Sequence, residues 1–194
     1  MHKGRLEAFS DGVFAVLITI LVLELKVPHG ASWAAIQPLV PAFVSYVLSF
    51  IYLGIYWSNH HHMLQATTHV TGAVLWANLF LLFWLSLIPF LTAWMGENGF
   101  ERLPVALYGA DLVLAGLAYV LLERILIGAQ GKDSRLKSAV GMEIKGWISA
   151  AVYLVSIVVA WLWTPWVALA AYAAVALMWL IPDRRIELAL GRSH

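Results

Sequence analysis

Six apolar runs, separated by short polar turns, account for most of this chain. A membrane span takes about 20 consecutive apolar residues, and within hydrocarbon a helix satisfies all its own backbone N–H and C=O groups. Runs of this length therefore read as spanning helices. The first extends from about Leu6 to Leu25 and stops at Lys26-Val27-Pro28-His29-Gly30, where proline and glycine end a helix. The second covers about Pro38 to Ser58 and ends in the polar cluster Asn59-His60-His61-His62. Thr67, Thr68 and His69 lead into a third run from about Val70 to Trp94, in which Pro89 is expected to introduce a kink. The fourth spans about Leu103 to Ile127 and the fifth about Gly146 to Trp163. Thr164 and Pro165 have the character of an N-cap and a first-turn proline, opening a sixth run to about Ile181. The pattern predicts an all-α, polytopic membrane protein with six transmembrane helices per subunit, a single domain over residues 1–194.

Composition agrees. Of 194 residues, 62% are hydrophobic and 12% charged, against about 25% charged in a typical globular domain. A formal net charge of +1 gives no electrostatic basis for binding nucleic acid. The absence of cysteine excludes disulfides, thiolate metal sites and thiol nucleophiles. The first run has no small-residue cleavage site before its polar turn and is expected to stay in the mature protein. With six spans, one side of the membrane receives Lys3, Arg5, Arg124, Lys132, Arg135, Lys137, Lys145, Arg184, Arg185 and Arg192, and the other only Lys26 and Arg102. This asymmetry puts both termini in the cytoplasm. No motif of the first half recurs in the second, so any pore symmetry has to come from oligomerisation. No phosphate-binding loop, HExxH or GxSxG string occurs, which weakens an enzymatic reading.

Polar residues within the runs carry the functional information. Arg5, Ser10 and Asp11 occupy the start of the first helix, where an ionisable group faces water or a protein partner rather than lipid, and Asp11 could pair with Arg5 or accept from neighbouring donors. Further along, Val16, Ile20 and Leu23 form one stripe at i, i+4 and i+7, with Thr19 beside it. Such a stripe alone suits packing or lipid contact equally. Consecutive histidines point in different directions on a helix, so a metal site at His60-His61-His62 needs ligands from elsewhere, with His69 the nearest; hydrogen-bonded histidines are the simpler reading. Asp111, about eight residues or about 12 Å into the fourth run, either carries a proton or cation role or meets water near the outer boundary, and its depth leaves partial burial open. Glu24 and Glu101 are placed to enrich cations at an outer mouth. Lys132, Asp133, Arg135 and Lys137 make the longest loop basic, as headgroup contact or the ordinary charge asymmetry would.

The first helix, Arg-x-x-x-Phe-Ser-Asp-Gly-Val-Phe-Ala followed by Thr19 and Leu23-Glu24-Leu25, resembles that of the bacterial members of the transmembrane protein 175 family. Trp57-Ser58-Asn59-His60-His61 is similar to the family's Trp-x-x-His-His, and Asn78-Leu79, Pro89-Phe90 and Thr92 extend the likeness through the third run. The resemblance implies a potassium-permeable channel of the bacterial plasma membrane, a homotetramer in which the first helix of each subunit lines a central pore. It implies constrictions at Val16, Ile20 and Leu23, with Thr19 close to the narrowest part and no carbonyl filter loop. Val16 is smaller than the isoleucine or leucine of many relatives, which implies a wider constriction there. Arg5, Phe9, Ser10 and Asp11 would then be structural, bonded to groups such as Trp57, His60, His61 or Asn78. The permeant monovalent cation is the only ligand expected, with modest preference for potassium over sodium and no cofactor. Proton conduction, a small secondary carrier and a histidine-metal membrane enzyme are the alternatives.

Overall fold

Six long helices dominate the computed structural model. It describes residues 3–130 and 143–180, with side chains of the second stretch from residue 145 onward. The elements are α1 (Lys3–Leu23), a short α2 (Trp33–Ile36) leading through a 3-10 turn (Gln37–Leu39) into α3 (Val40–Gln65), then α4 (Gly72–Glu97), α5 (Arg102–Gln130), α6 (Glu143–Leu162) and α7 (Pro165–Leu180). No strand occurs among the described residues. Five of these segments are long and apolar enough to cross a membrane. The described part of α7 has 16 residues, about 24 Å of helix at 1.5 Å per residue. The charged residues of the loop expected to be basic overall, Lys132, Asp133, Arg135 and Lys137, and the tail from Pro182 to His194 lie outside the described residues.

The helices run further than their apolar cores. α3 does not end at Ser58; it continues through the histidine cluster to Gln65. Asparagine and histidine are only mildly unfavourable in a helix, and nothing in this cluster removes a backbone donor. The helix stops at Thr67, whose hydroxyl donates back to the carbonyl of Met63 at 2.9 Å. α4 is capped at its start by Thr71, which accepts from the Val74 amide, and carries on through Pro89 to Glu97. The α4–α5 turn uses Gly99 and Phe100, both left-handed (φ 59° and 65°). Glycine adopts this conformation freely, whereas Phe100 is held in it by burial, its ring packed edge-on to Trp166 at 5.1 Å.

α4 and α5 form the centre of the bundle. α3 and α1 pack on one side of α4, and α6 and α7 on α5. Hydroxyl groups join the layers: Ser49 on α3 bonds Thr92 on α4 (2.6 Å) and Tyr108 on α5 (2.9 Å). Tyr153 on α6 donates to the Tyr52 hydroxyl (3.1 Å), which donates to the carbonyl of Tyr172 on α7 (2.7 Å). Small residues admit the closest approaches. A Cβ on Gly96 would lie 2.6 Å from the Cα of Ala42, and one on Gly109 would overlap the hydroxyl of Tyr172. At the end where α4 meets α5, the Arg102 guanidinium donates to the carbonyls of Trp161 and Trp163, closing the C-terminus of α6.

Replacing Gly109 by valine is expected to separate α5 from α7 and destabilise the subunit by about 1–3 kcal/mol, the usual cost of overpacking a filled core. Thermal unfolding of the detergent-solubilised protein measures it. The same change at Gly54, whose Cβ position is open within the subunit, serves as the comparison and should leave the midpoint nearly unchanged.

Candidate functional site

α1 has two unlike faces. Leu6, Ser10, Phe14, Leu17 and Leu21 recur at helical spacing and are buried against α3 and α4. The opposite face has no partner helix in the subunit. Val16 is 54% exposed and Leu23 78%, Thr19 is exposed, and Ile20 is half-buried at the edge of this face. At about 100° per residue these four side chains fall within about 100° of arc, so they form one stripe. The Thr19 hydroxyl donates to the carbonyl of Val16 at 2.8 Å, which leaves its lone pairs on the open side. Phe9 and Arg5 prolong the stripe towards the N-terminus, both exposed.

Ser10 is the one polar side chain among these buried residues of α1, and its hydroxyl oxygen has a partner. Asn78 of α4 donates through Nδ2 to the Ser10 Oγ at 3.0 Å. Its Oδ1 lies 2.7 Å from Nε2 of His60 on α3. An amide oxygen only accepts, so His60 carries its proton on Nε2 and donates it. Three helices thus meet on one asparagine, in a pocket where Ser10, Asn78 and His60 are all buried. The Phe14 ring closes the pocket, 5.6 Å from the imidazole. At the adjacent residue of α1, the Trp57 indole donates to Oδ1 of Asp11 at 2.9 Å and stacks on His61, which bonds Gln65. Lys3 adds a contact that sequence reasoning did not identify: its ammonium donates to the Gln65 carbonyl and pairs with Glu7.

Two expected placements are corrected. Arg5 does not pair with Asp11, and among the described residues it makes no hydrogen bond or ion pair. Six residues apart is about 600° of turn, which puts the two side chains on different faces. Phe9, expected in the network with Ser10 and Asp11, instead lies 53% exposed on the open stripe. The histidines diverge: His60 turns to Asn78, His61 to Trp57 and Gln65, and His62 outward. Among the described residues no three His, Asp or Glu side chains gather as metal ligands would. Asp111 does not meet water. It is buried, on the same face of α5 as Tyr108, Leu112 and Ala115, and neither carboxyl oxygen has a hydrogen-bond partner among the described residues. At the far end of the bundle Glu24 and Glu101 are exposed. Lys26 pairs with Glu97 at 2.6 Å, and that hydrogen bond and charge raise its pKa above the usual lysine value.

Residues 5–89 match the family model described as "Endosomal/lysosomal potassium channel TMEM175". Over 190 residues the chain is 53% identical to a potassium channel of Chryseobacterium sp. (strain P1-3), covering 98% of each. It is 36% identical over 126 residues to a potassium channel of Streptomyces collinus, covering 61% of each chain. The endosomal/lysosomal proton channel TMEM175 of Homo sapiens is 31% identical over 116 residues, 54% of this chain and 23% of that one. The fold matches the crystal structure of a lysosomal potassium-selective channel TMEM175 homolog from Chamaesiphon minutus with a TM-score of 0.80, covering 92% of this chain and 96% of that one at 24% identity.

Asn78→Ala should cost more than Ser10→Ala, because it leaves both His60 and Ser10 without a buried partner. The expected loss is about 1–2 kcal/mol against about 0.5–1. The double variant should fall short of the sum, since the two residues share one bond. Reversible unfolding in mixed micelles measures all three, and strict additivity would contradict the shared bond.

Proposed function

Because the chain belongs to the family of the endosomal/lysosomal potassium channel TMEM175, a family of ion channels rather than enzymes, we propose that it is a potassium-permeable cation channel of the bacterial plasma membrane. In this reading it is a homotetramer whose four copies of α1 surround the pore, with both termini cytoplasmic as the lysine and arginine asymmetry indicates. The observation that carries it is the division of α1 into a hydrogen-bonded face and an open one. The open face presents Val16, Ile20 and Leu23 with Thr19 between them, and it has no cover within the subunit. Gly4, Ala8, Gly12 and Ala15 lie exposed beside this stripe, and small residues of this kind allow helices of neighbouring subunits to approach closely.

Fourfold repetition turns each aliphatic side chain into a ring. Narrow apolar rings exclude water and so stop ions; rotating or parting the helices rehydrates the passage. No ring carries a charge or a carbonyl that replaces the ion's water shell, so discrimination rests on how readily an ion sheds part of that shell. Potassium holds its water less tightly than sodium, which gives a modest preference for potassium. Ser10, Asp11, Trp57, His60, His61 and Asn78 fix the N-terminal half of α1 and thereby set the position of the rings. Arg5 and Phe9 sit at the mouth. That the eukaryotic relatives are named as proton channels favours proton conduction as a second reading.

Reversal potentials in planar bilayers under opposed potassium and sodium gradients, with a separate pH gradient, test the proposal. The wild type should reverse towards the potassium potential. Ile20→Asn and Leu23→Asn should raise conductance and bring the potassium-to-sodium ratio towards one, because a polar ring holds water. Currents that track only the pH gradient would replace potassium by protons. Folded protein that carries no current would overturn the channel reading.

A further inference from the structure

A slot of about 280 Å³ runs between α3, α5, α6 and α7, on the side of α3 away from α1. It follows α5 from Leu112 to Ile127, about 22 Å at 1.5 Å per residue, so it is long and narrow. One end is closed by Tyr52 and Tyr153, both buried. Their hydroxyls are already used, Tyr153 donating to Tyr52 and Tyr52 to the Tyr172 carbonyl. They therefore offer ring surface and no free polar group. The wall at Ser149 is likewise satisfied: its hydroxyl donates to the Lys145 carbonyl and accepts from the Trp179 indole. At the other end Arg124 and Trp147 are exposed. Arg124 makes no hydrogen bond or ion pair among the described residues, while the neighbouring Glu123 is engaged within the protein.

A closed end, walls mostly apolar apart from Tyr56, Tyr119 and Asn59 and longer than half of the roughly 30 Å hydrocarbon core, and at the open end a guanidinium with no partner among the described residues suit one class of ligand. We propose that the slot holds one acyl chain of a phospholipid, its phosphate on Arg124 and its methyl end at Tyr52 and Tyr153, and that filling it restrains α1. The connection to α1 is a two-turn stretch of α3. Ile55, Tyr56 and Asn59 line the slot, while Trp57 and His60, between and beside them, hold Asp11 and Asn78. A chain in the slot packs this stretch from behind, and the hydrogen bonds on its other side pass the restraint to α1. Guanidinium groups match phosphate with paired N–H donors.

Gly116 supplies the means of testing this. It lines the slot, and a Cβ there meets only the Tyr56 hydroxyl at 3.9 Å, so a larger side chain grows into the space without displacing the backbone. The experiment uses the full chain in nanodiscs containing phosphatidylglycerol with a diazirine near the acyl terminus. Photolysis should label the peptides carrying Tyr52 or Tyr153, and Gly116→Leu should reduce that labelling at least about tenfold by filling the slot. Arg124→Gln, a surface change that leaves the core intact, should weaken it about fivefold. In hydrogen–deuterium exchange, added phosphatidylglycerol should slow amide exchange in residues 5–14 of the wild type and not of Gly116→Leu. Label confined to outward-facing positions such as Trp76 and unaltered by Gly116→Leu would overturn the site. Displacement of the lipid by glycerol phosphate alone would show that the site recognises a soluble phosphate and overturn the acyl-chain assignment. Exchange in α1 that ignores occupancy would overturn the restraint. None of these readouts involves ion current, so they fail independently of the channel reading.

Discussion

The bond from Asn78 to Ser10, backed by the bond from His60 to Asn78, fixes α1 in this molecule. Inside a bilayer, apolar packing distinguishes poorly between one helix register and another, because lipid tails are as apolar as leucine. A buried amide with both its ends engaged does distinguish them, since a one-turn slip of α1 would leave Ser10 and the Asn78 amide nitrogen unsatisfied in a medium that cannot solvate them. The Trp57–Asp11 bond, on the next residue of α1 and about 100° round the helix, adds a second point of attachment and so sets the rotation of α1 as well as its height. The orientation of the Val16, Thr19, Ile20 and Leu23 stripe follows from these two attachments.

The other five helices act as the frame. Tyrosine, serine and threonine hydroxyls join α3, α4, α5, α6 and α7 through bonds that are each modest in a membrane protein, about 0.6 kcal/mol on average. Together they define one arrangement of the bundle. The same frame leaves a narrow space behind α3 and encloses Asp111 without a partner among the described residues.

Much of this was legible in the sequence because bilayer thickness imposes a length on every spanning helix. The six runs, the all-α class and the polar string at the start of α1 follow from that constraint and from the rarity of polar side chains in hydrocarbon. Positions along a helix were less legible. The extension of α3 through His60-His61-His62 depends on His60 having Asn78 to bond and on Thr67 supplying the stop, and neither contact has a local signal. That Arg5 does not pair with Asp11 was available from spacing alone, since i and i+6 do not share a face. The exposure of Phe9 was not available in this way, because it depends on which arc of α1 the neighbouring helices cover.

By itself the sequence determined that the chain spans a membrane as a helical bundle, and it marked Ser10, Asp11, Trp57, His60 and Asn78 as polar residues needing partners. Those are local facts, governed by the cost of unsatisfied backbone and side-chain groups in hydrocarbon. Tertiary structure decided which partners they found, which face of α1 stayed open, that Asp111 is enclosed, and that a slot runs behind α3. These depend on the relative rotation and height of helices far apart in sequence, and in a bilayer those are set by a few long-range hydrogen bonds and close small-residue contacts that no apolar periodicity encodes.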